Sequence, residues 1–280
     1  MGCVPSKDNQ INSDVVKKAL LIGINYRGKP SELNGCINDT ENLKTFLIEN
    51  KYFDENDMIM MNDFKTGSLY PTKSNILKQL DDLIIFSKQY PKKEVHIIVT
   101  YSGHGSYTID TSGDEEDGFD EMICPIDYIK SGFIVDDYIK SNFIDKLPSN
   151  VKLFMIIDAC HSGTMCDLKY EYDPVLPSKL KTNTSKKESD CEVILLSGAR
   201  DIETAADAYI YDLKDRRYEY QGALTASFIA NYSHNITYQD LITNIRLWLK
   251  TSKYNQIAQM TSGKCINVND TCMLSEFIHQ

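Results

Sequence analysis

No stretch of the 280 residues approaches the roughly 20 consecutive apolar residues that a membrane-spanning helix needs. The opening residues also lack the apolar core of a secretory signal, so the chain is expected in the cytosol or a compartment connected with it. No CxxC spacing occurs among the eight cysteines (Cys3, Cys36, Cys124, Cys160, Cys166, Cys191, Cys265 and Cys272), which argues against a disulfide scaffold and a zinc knuckle and for reduced thiols. Positive charge is in deficit, with 30 Lys and Arg against 40 Asp and Glu. The resulting net charge of -10 disfavours nucleic acid as a partner and suits basic substrates. No internal repeat is visible. With 42% apolar and 25% charged residues, the chain reads as a globular protein long enough to bury a full core.

What is present is an alternation of strand-like and helix-like segments. Residues 1–14 are polar and read as a mobile tail, and Ala19 to Ile24 forms a first buried strand. From Asp39 the apolar positions Leu43, Phe46 and Leu47 fall at helical spacing, as do Ile76, Leu77, Leu80, Leu83 and Ile84 from Ser74. Two apolar runs follow, Val95 to Val99 leading into Tyr101 and Val151 to Ile157 leading into Asp158, then a strand at Glu192 to Leu196. Helical stretches cover Ala223 to Tyr232 and Tyr238 to Lys250. The order predicts an α/β fold with a mainly parallel sheet and helices on both faces. Between Leu168 and Asp190 periodicity disappears among prolines, hydroxyl residues and lysines, and a long surface loop is expected there.

Two of these strands end in chemistry that a buried strand does not need. Tyr101-Ser102-Gly103-His104-Gly105 closes one and Asp158-Ala159-Cys160-His161-Ser162-Gly163 the other. Ligands of open α/β sheets sit outside the carboxyl ends of the strands. A thiol there becomes a nucleophile once a neighbouring imidazole removes its proton, so Cys160 is the candidate nucleophile and His104 the candidate base. His161 is the weaker choice of base, because successive side chains of extended chain point to opposite faces. No third member of a triad is evident, and a dyad would rely on carbonyls or water to orient the imidazole.

Together with Gly35-Cys36-Ile37-Asn38-Asp39, the acidic stretch Gly113 to Glu121, Ile134-Val135-Asp136-Asp137 and Leu196-Ser197-Gly198, these segments form ordered blocks along almost the whole chain. In these blocks the sequence resembles the metacaspases of the caspase-like clan, in a short, type I-like layout. The resemblance implies a caspase-like three-layer sandwich. It divides the chain into a large (p20-like) region at 15–167, a flexible loop at 168–190 and a small (p10-like) region of the same domain at 191–280. It further implies cleavage of peptide bonds after Arg or Lys, an oxyanion hole from the backbone N–H groups of Gly105 and Cys160, and an S1 pocket at Cys36, Asp39, Ser102 and Asp158. Two carboxylates in a closed pocket hold a guanidinium or ammonium and repel a substrate Asp. A plainer reading has Asp39 capping the helix it precedes and Asp158 accepting loop amides. The resemblance also implies activating calcium held by Asp120, Asp136, Asp137 and Asp167, although the acidic run from Asp114 fits no EF-hand register. It favours a monomer.

A basic-specific protease with exposed basic residues is its own substrate, which makes Lys179, Lys181, Lys186, Lys187, Lys214, Arg216 and Arg217 candidate self-cleavage sites; ordinary solvated lysines are the alternative. The start of the chain departs from the family in having only a short segment before the first strand where many members carry a long Pro- or Gln-rich prodomain. Instead Met1-Gly2-Cys3-Val4-Pro5-Ser6 fits N-myristoylation at Gly2, with Cys3 placed for palmitoylation, and the two acyl chains would tether the protein to the cytosolic face of a membrane. Two other classes compete with the peptidase: a lipid-anchored, catalytically silent interaction protein, and a metal site built from His104, Cys160 and His161.

Overall fold

The structure is a computed structural model that describes residues 15–109, 118–159, 165–173, 179–199, 207–212 and 217–278. In chain order its elements are β1 (Val15–Gly23), α1 (Cys36–Glu49), β2 (Met58–Asn62), α2 (Lys73–Lys88), β3 (Glu94–Ser102), β4 (Gly105–Ile109), β5 (Phe119–Ile123), α3 (Tyr128–Ser131) and β6 (Ile134–Val135). They continue with α4 (Asp136–Asn142), β7 (Val151–Asp158), β8 (Tyr170–Tyr172), β9 (Leu180–Thr182), β10 (Glu192–Ala199), β11 (Asp207–Asp212), β12 (Arg217–Gly222), α5 (Ala223–Asn231), α6 (Tyr238–Thr251) and β13 (Ile257–Ser262).

Eight strands form the central sheet in the order β2-β1-β3-β7-β10-β13-β8-β9. The five from β2 to β10 are mutually parallel, and β13, β8 and β9 extend the sheet antiparallel. Strand alternation divides the core into two layers. Leu20 and Ile22 of β1, Val95, Ile97 and Val99 of β3 and Leu153, Met155 and Ile157 of β7 meet Ile76, Leu80 and Leu83 of α2 and Ile139 of α4 on one face. Ala19, Leu21, Ile98, Phe154 and Ile156 meet Leu43, Phe46 and Leu47 of α1, Phe228 of α5 and Ile242 and Ile245 of α6 on the other. Burial of both faces explains why these strands read as unbroken apolar runs. The molecule is therefore an α/β three-layer sandwich, as the resemblance implies.

Helix starts follow local chemistry where a capping residue is at hand. Thr72 accepts from the Asn75 amide at 3.3 Å to open α2, and Thr237 from the Asp240 amide at 3.0 Å to open α6. Helix α1 has no such residue of its own, since Gly35 precedes it, and its Ile37 amide is met by Asn25 Oδ1 from the end of β1 at 3.1 Å. This long-range cap places the start at Cys36, three residues before the Asp39 at which periodicity becomes visible. Asp39 consequently lies inside the first turn instead of preceding the helix.

The expected loop at 168–190 is corrected in part. It contributes β8 and β9 to the sheet edge, where Tyr172 is buried and its hydroxyl lies 3.0 Å from Ser262 Oγ. Three-residue strands are too short to show a period of two.

Candidate active site

Strands β1, β3 and β7 end side by side, with Gly23 paired to Ser102 and Ser102 to Asp158. His104 and Cys160 each stand two residues past that last pair in sequence. Cys160 and His161 lie outside the described residues, and so does the metal reading that needs both. His104 is half-buried, and two tyrosines hold its backbone. Its amide donates to Tyr26 Oη at 3.0 Å, and its carbonyl accepts from Tyr101 Oη at 2.8 Å. Tyr26 in turn donates to the Cys124 carbonyl at 2.6 Å. Burial raises both phenols well above their ordinary pKa, so each remains a proton donor.

The imidazole is oriented by a ring and a carbonyl. The Tyr26 ring lies 4.6 Å from it, and Nε2 is 2.7 Å from the Ser31 carbonyl. A carbonyl only accepts, so Nε2 carries the proton and Nδ1 remains as the basic nitrogen. Of the carbonyls or water expected to orient this imidazole, the Ser31 carbonyl is in place. Tyr26 reaches this position with φ 53°, in the left-handed region that costs a bulky residue about 1–2 kcal/mol. A side chain on Gly103 would place its Cβ 2.6 Å from Tyr101 Oη and 3.0 Å from Tyr26 Oη, which excludes any larger residue between Ser102 and His104. Gly105, an expected oxyanion donor, opens β4 directly after the histidine.

The four expected S1 residues are all buried. Asp39, at 1% exposure, accepts from the Gly222 amide through Oδ1 at 2.7 Å. Asp158, at 7%, accepts from the Thr225 amide through Oδ2 at 2.8 Å. Burial raises the Asp158 pKa, against the pull of the Thr225 and Leu224 amides at the start of α5. Cys36 heads α1 and Ser102 ends β3. The reading of Asp158 as an acceptor of backbone amides thus holds, and the amides it accepts belong to the start of α5.

The expected calcium residues are brought together only in part. Asp136 begins α4, and Asp167 follows β7 with φ 48°. Burial raises the Asp136 pKa to about 10, and the neighbouring Asp167 and Glu121 carboxylates add to it. Asp136 Oδ1 accepts from the Asp137 amide, whereas Oδ2 is buried with no donor among the described residues. The Cys166 thiol is raised by burial and by the same three carboxylates. Asp137 is half-buried. Asp120 is the strand neighbour of Glu121 on β5 and by alternation faces the other side. Glu121 was not singled out in the sequence, where it is one acid among several. The oxygen donors suit a hard cation. Among the described residues no three acidic, His or Cys side chains are gathered as a metal site, and Lys186 lies against Asp167 Oδ1 at 2.5 Å.

Of the candidate self-cleavage residues, Lys179, Lys181 and Lys187 are exposed, while the Lys186 side chain is only 10% exposed in its ion pair. Arg217 opens β12, and Lys214 and Arg216 lie outside the described residues, as do Gly2, Cys3 and residues 113–117 of the acidic stretch. No helix among the described residues is long and apolar enough to cross a membrane. Sequence reasoning missed Tyr26, Ser31, Gly222 and Thr225. Tyr26 carried a usable signal, since it too is a polar group just past an apolar strand.

Residues 17–169, more than half of the chain, match the family model described as metacaspase, peptidase C14 domain. Metacaspase-1A of Neurospora crassa is 36% identical over 90% of this chain and 64% of its own length. Metacaspase-1B of Aspergillus fumigatus is 33% identical over 90% of this chain and 71% of its own. Among solved structures, protein GSU0716 from Geobacter sulfurreducens superposes with a TM-score of 0.57 at 20% identity, covering 94% of this chain and 97% of that one, which is a likeness of fold alone. Matched in sequence over residues 17–169, the chain belongs to the metacaspase family of caspase-like cysteine peptidases.

Proposed function

We propose that this protein is a cysteine endopeptidase that cleaves after Arg or Lys. The observation that carries the reading is the pair of buried carboxylates, Asp39 in the first turn of α1 and Asp158 at the end of β7, which converge on Gly222. His104 Nδ1 takes the Cys160 proton, while Nε2 stays on the Ser31 carbonyl. The thiolate attacks the scissile carbonyl, and the Gly105 and Cys160 amides receive the oxyanion. The imidazolium then returns its proton to the leaving amine, and water attacks the acyl-enzyme with His104 again as base. Asp39 and Asp158, lined by Cys36 and Ser102, hold the P1 cation by charge-assisted hydrogen bonds.

Calcium activation belongs to the same proposal. Asp136, Asp137 and Asp167 would hold the ion, with Glu121 a further carboxylate that acts on Asp136. Bound there, calcium supplies positive charge to a cluster of acids that otherwise shares protons and a lysine. Displacing Lys186 from Asp167 would bring that lysine into solvent beside Lys187, which links activation to self-cleavage in the segment 179–187. Acylation at Gly2 and Cys3 would tether a monomeric enzyme to the cytosolic face of a membrane, and a chain of net charge -10 has protein substrates, not nucleic acid, as partners.

The test is fluorophore release from matched Arg, Lys and Asp peptides, with calcium or chelator, beside Cys160→Ala. Calcium-dependent cleavage of the Arg or Lys peptide, lost in the variant, is expected. Cleavage of the Asp peptide would overturn the pocket, and equal rates in chelator would overturn calcium activation. Activity retained by Cys160→Ala would overturn the nucleophile.

A further inference from the structure

We propose that Gly222 is a specificity-determining residue of the S1 pocket. Its bare α-carbon lets two carboxylates share one site, and its amide orders one of them. The inference rests on the reading of S1 as a pocket for a cationic side chain.

Glycine at this position is not explained by backbone conformation. Gly222 has φ -68° and ψ 135°, which any residue adopts. What it supplies is space. A Cβ there would lie 2.3 Å from Asp158 Oδ2 and 2.7 Å from Asp39 Oδ2. Both distances are well inside van der Waals contact, so at least one carboxylate would have to move. Neither is loose, because Asp158 Oδ2 accepts from Thr225 N at 2.8 Å and Asp39 Oδ1 from Gly222 N at 2.7 Å, and both residues are buried.

Nor can the backbone of β12 retreat easily. Asn38 Nδ2 of α1 donates to the Tyr220 carbonyl at 2.8 Å, and Asn42 Nδ2 to Glu219 Oε1 at 2.9 Å. On the same side, a Cβ on Gly35 would already sit 3.0 Å from the Gln221 backbone. Gly222 is also the residue that caps α5, and it has no side chain to do so. Ser, Thr, Asn and Asp are preferred there because their oxygen accepts the first helical amides. Asp158, from a different strand, takes over that acceptor role. The start of α5, the end of β12 and the S1 acids therefore form one unit, and residue 222 lies against both carboxylates.

The test uses the full chain in saturating calcium. Gly222→Ala should lower kcat/KM for Arg and Lys peptides by about 10- to 100-fold, the equivalent of one charge-assisted hydrogen bond, through KM and not kcat. Alkylation of Cys160 by iodoacetamide, a small neutral reagent that makes no use of S1, should keep the parent rate. A KM within twofold of the parent would overturn the proposal, as would a parallel loss of peptidase and alkylation rates, which marks a purely structural role. In case Gly222→Ala does not fold, Asn38→Ala/Asn42→Ala releases β12 without touching residue 222. A raised KM for basic peptides at unchanged alkylation supports the proposal, and an unchanged KM overturns it. A parent that cleaves no basic peptide would refute the basic-pocket reading and the Gly222 role with it. A parent that does, beside an indifferent Gly222→Ala, would refute the Gly222 role alone.

Discussion

Asp136→Asn is expected to remove a pH dependence of stability that the parent carries in the absence of calcium. Asp136 is 1% exposed, and its pKa is raised from 3.8 to about 10 by burial first and then by Asp167 and Glu121. Between those two values the folded protein holds a proton that the unfolded chain has released, so stability falls as pH rises, by about 1.4 kcal/mol per pH unit. Two other shifted groups bracket the useful window. Burial lowers the His96 pKa, so its contribution changes below the ordinary value of 6.5 and there favours the folded state as pH rises. Burial lowers Lys17 to about 8, and above that pH it too favours the folded state as pH rises. From pH 6.5 to 8 the acid cluster therefore dominates, and the parent should lose about 2 kcal/mol, or about 4–8 °C in melting temperature. Asp158, also raised by burial, acts in the same direction and is untouched by the substitution, so the quantity to read is the difference in slope. Calorimetry in chelator on Cys160→Ala, to prevent self-cleavage, with and without Asp136→Asn, measures it. A parent melting temperature that is flat or rises across this window, or the same slope in both proteins, would refute the reasoning. Saturating calcium should flatten the parent by replacing the proton.

Tyr26→Phe keeps the ring beside His104 but takes the acceptor from its amide, and should cost about 1–3 kcal/mol by thermal melting. The same variant should lower kcat by about 10- to 100-fold with KM unchanged, since the base is displaced and S1 is not; an unchanged kcat counts against Tyr26 as a positioning residue. Lys186→Met leaves a buried Asp167 without its ammonium, so the variant in chelator should be destabilised by about 3–5 kcal/mol, read by urea titration. Its calcium affinity by isothermal titration should rise about tenfold if the paired form dominates the parent, and an equal affinity would show that Lys186 does not compete. Phe228→Ala empties the site where Phe46, Phe154 and Tyr232 rings converge at 5.7, 5.9 and 5.4 Å, and should cost about 3–5 kcal/mol with the His104 environment intact by NMR.

Much of the architecture was legible because its signals are local. Strands β1, β3, β7 and β10 are apolar runs buried on both faces, and α2, α5 and α6 repeat at helical spacing. His104, Ser102 and Asp158 stood out as polar groups where those runs stop. The start of α1 was hidden because its cap, Asn25, lies outside the helix, and β8 and β9 because three residues show no periodicity. Glu121 was hidden because neighbouring acids on a strand look alike until the faces are assigned.

By itself, then, the sequence determined the alternation of the long buried strands with the main helices, the polar residues that stand where those strands stop, and the family, since each is written in contiguous segments. Tertiary structure alone decided which carbonyl orients the imidazole, which acids meet, that Lys186 is spent on Asp167, and that a glycine 183 residues from Asp39 shapes its carboxylate. The reason is physical. Periodicity and capping act over a few residues, whereas steric exclusion and charge act between groups that only the folded sheet edge brings within a few ångströms.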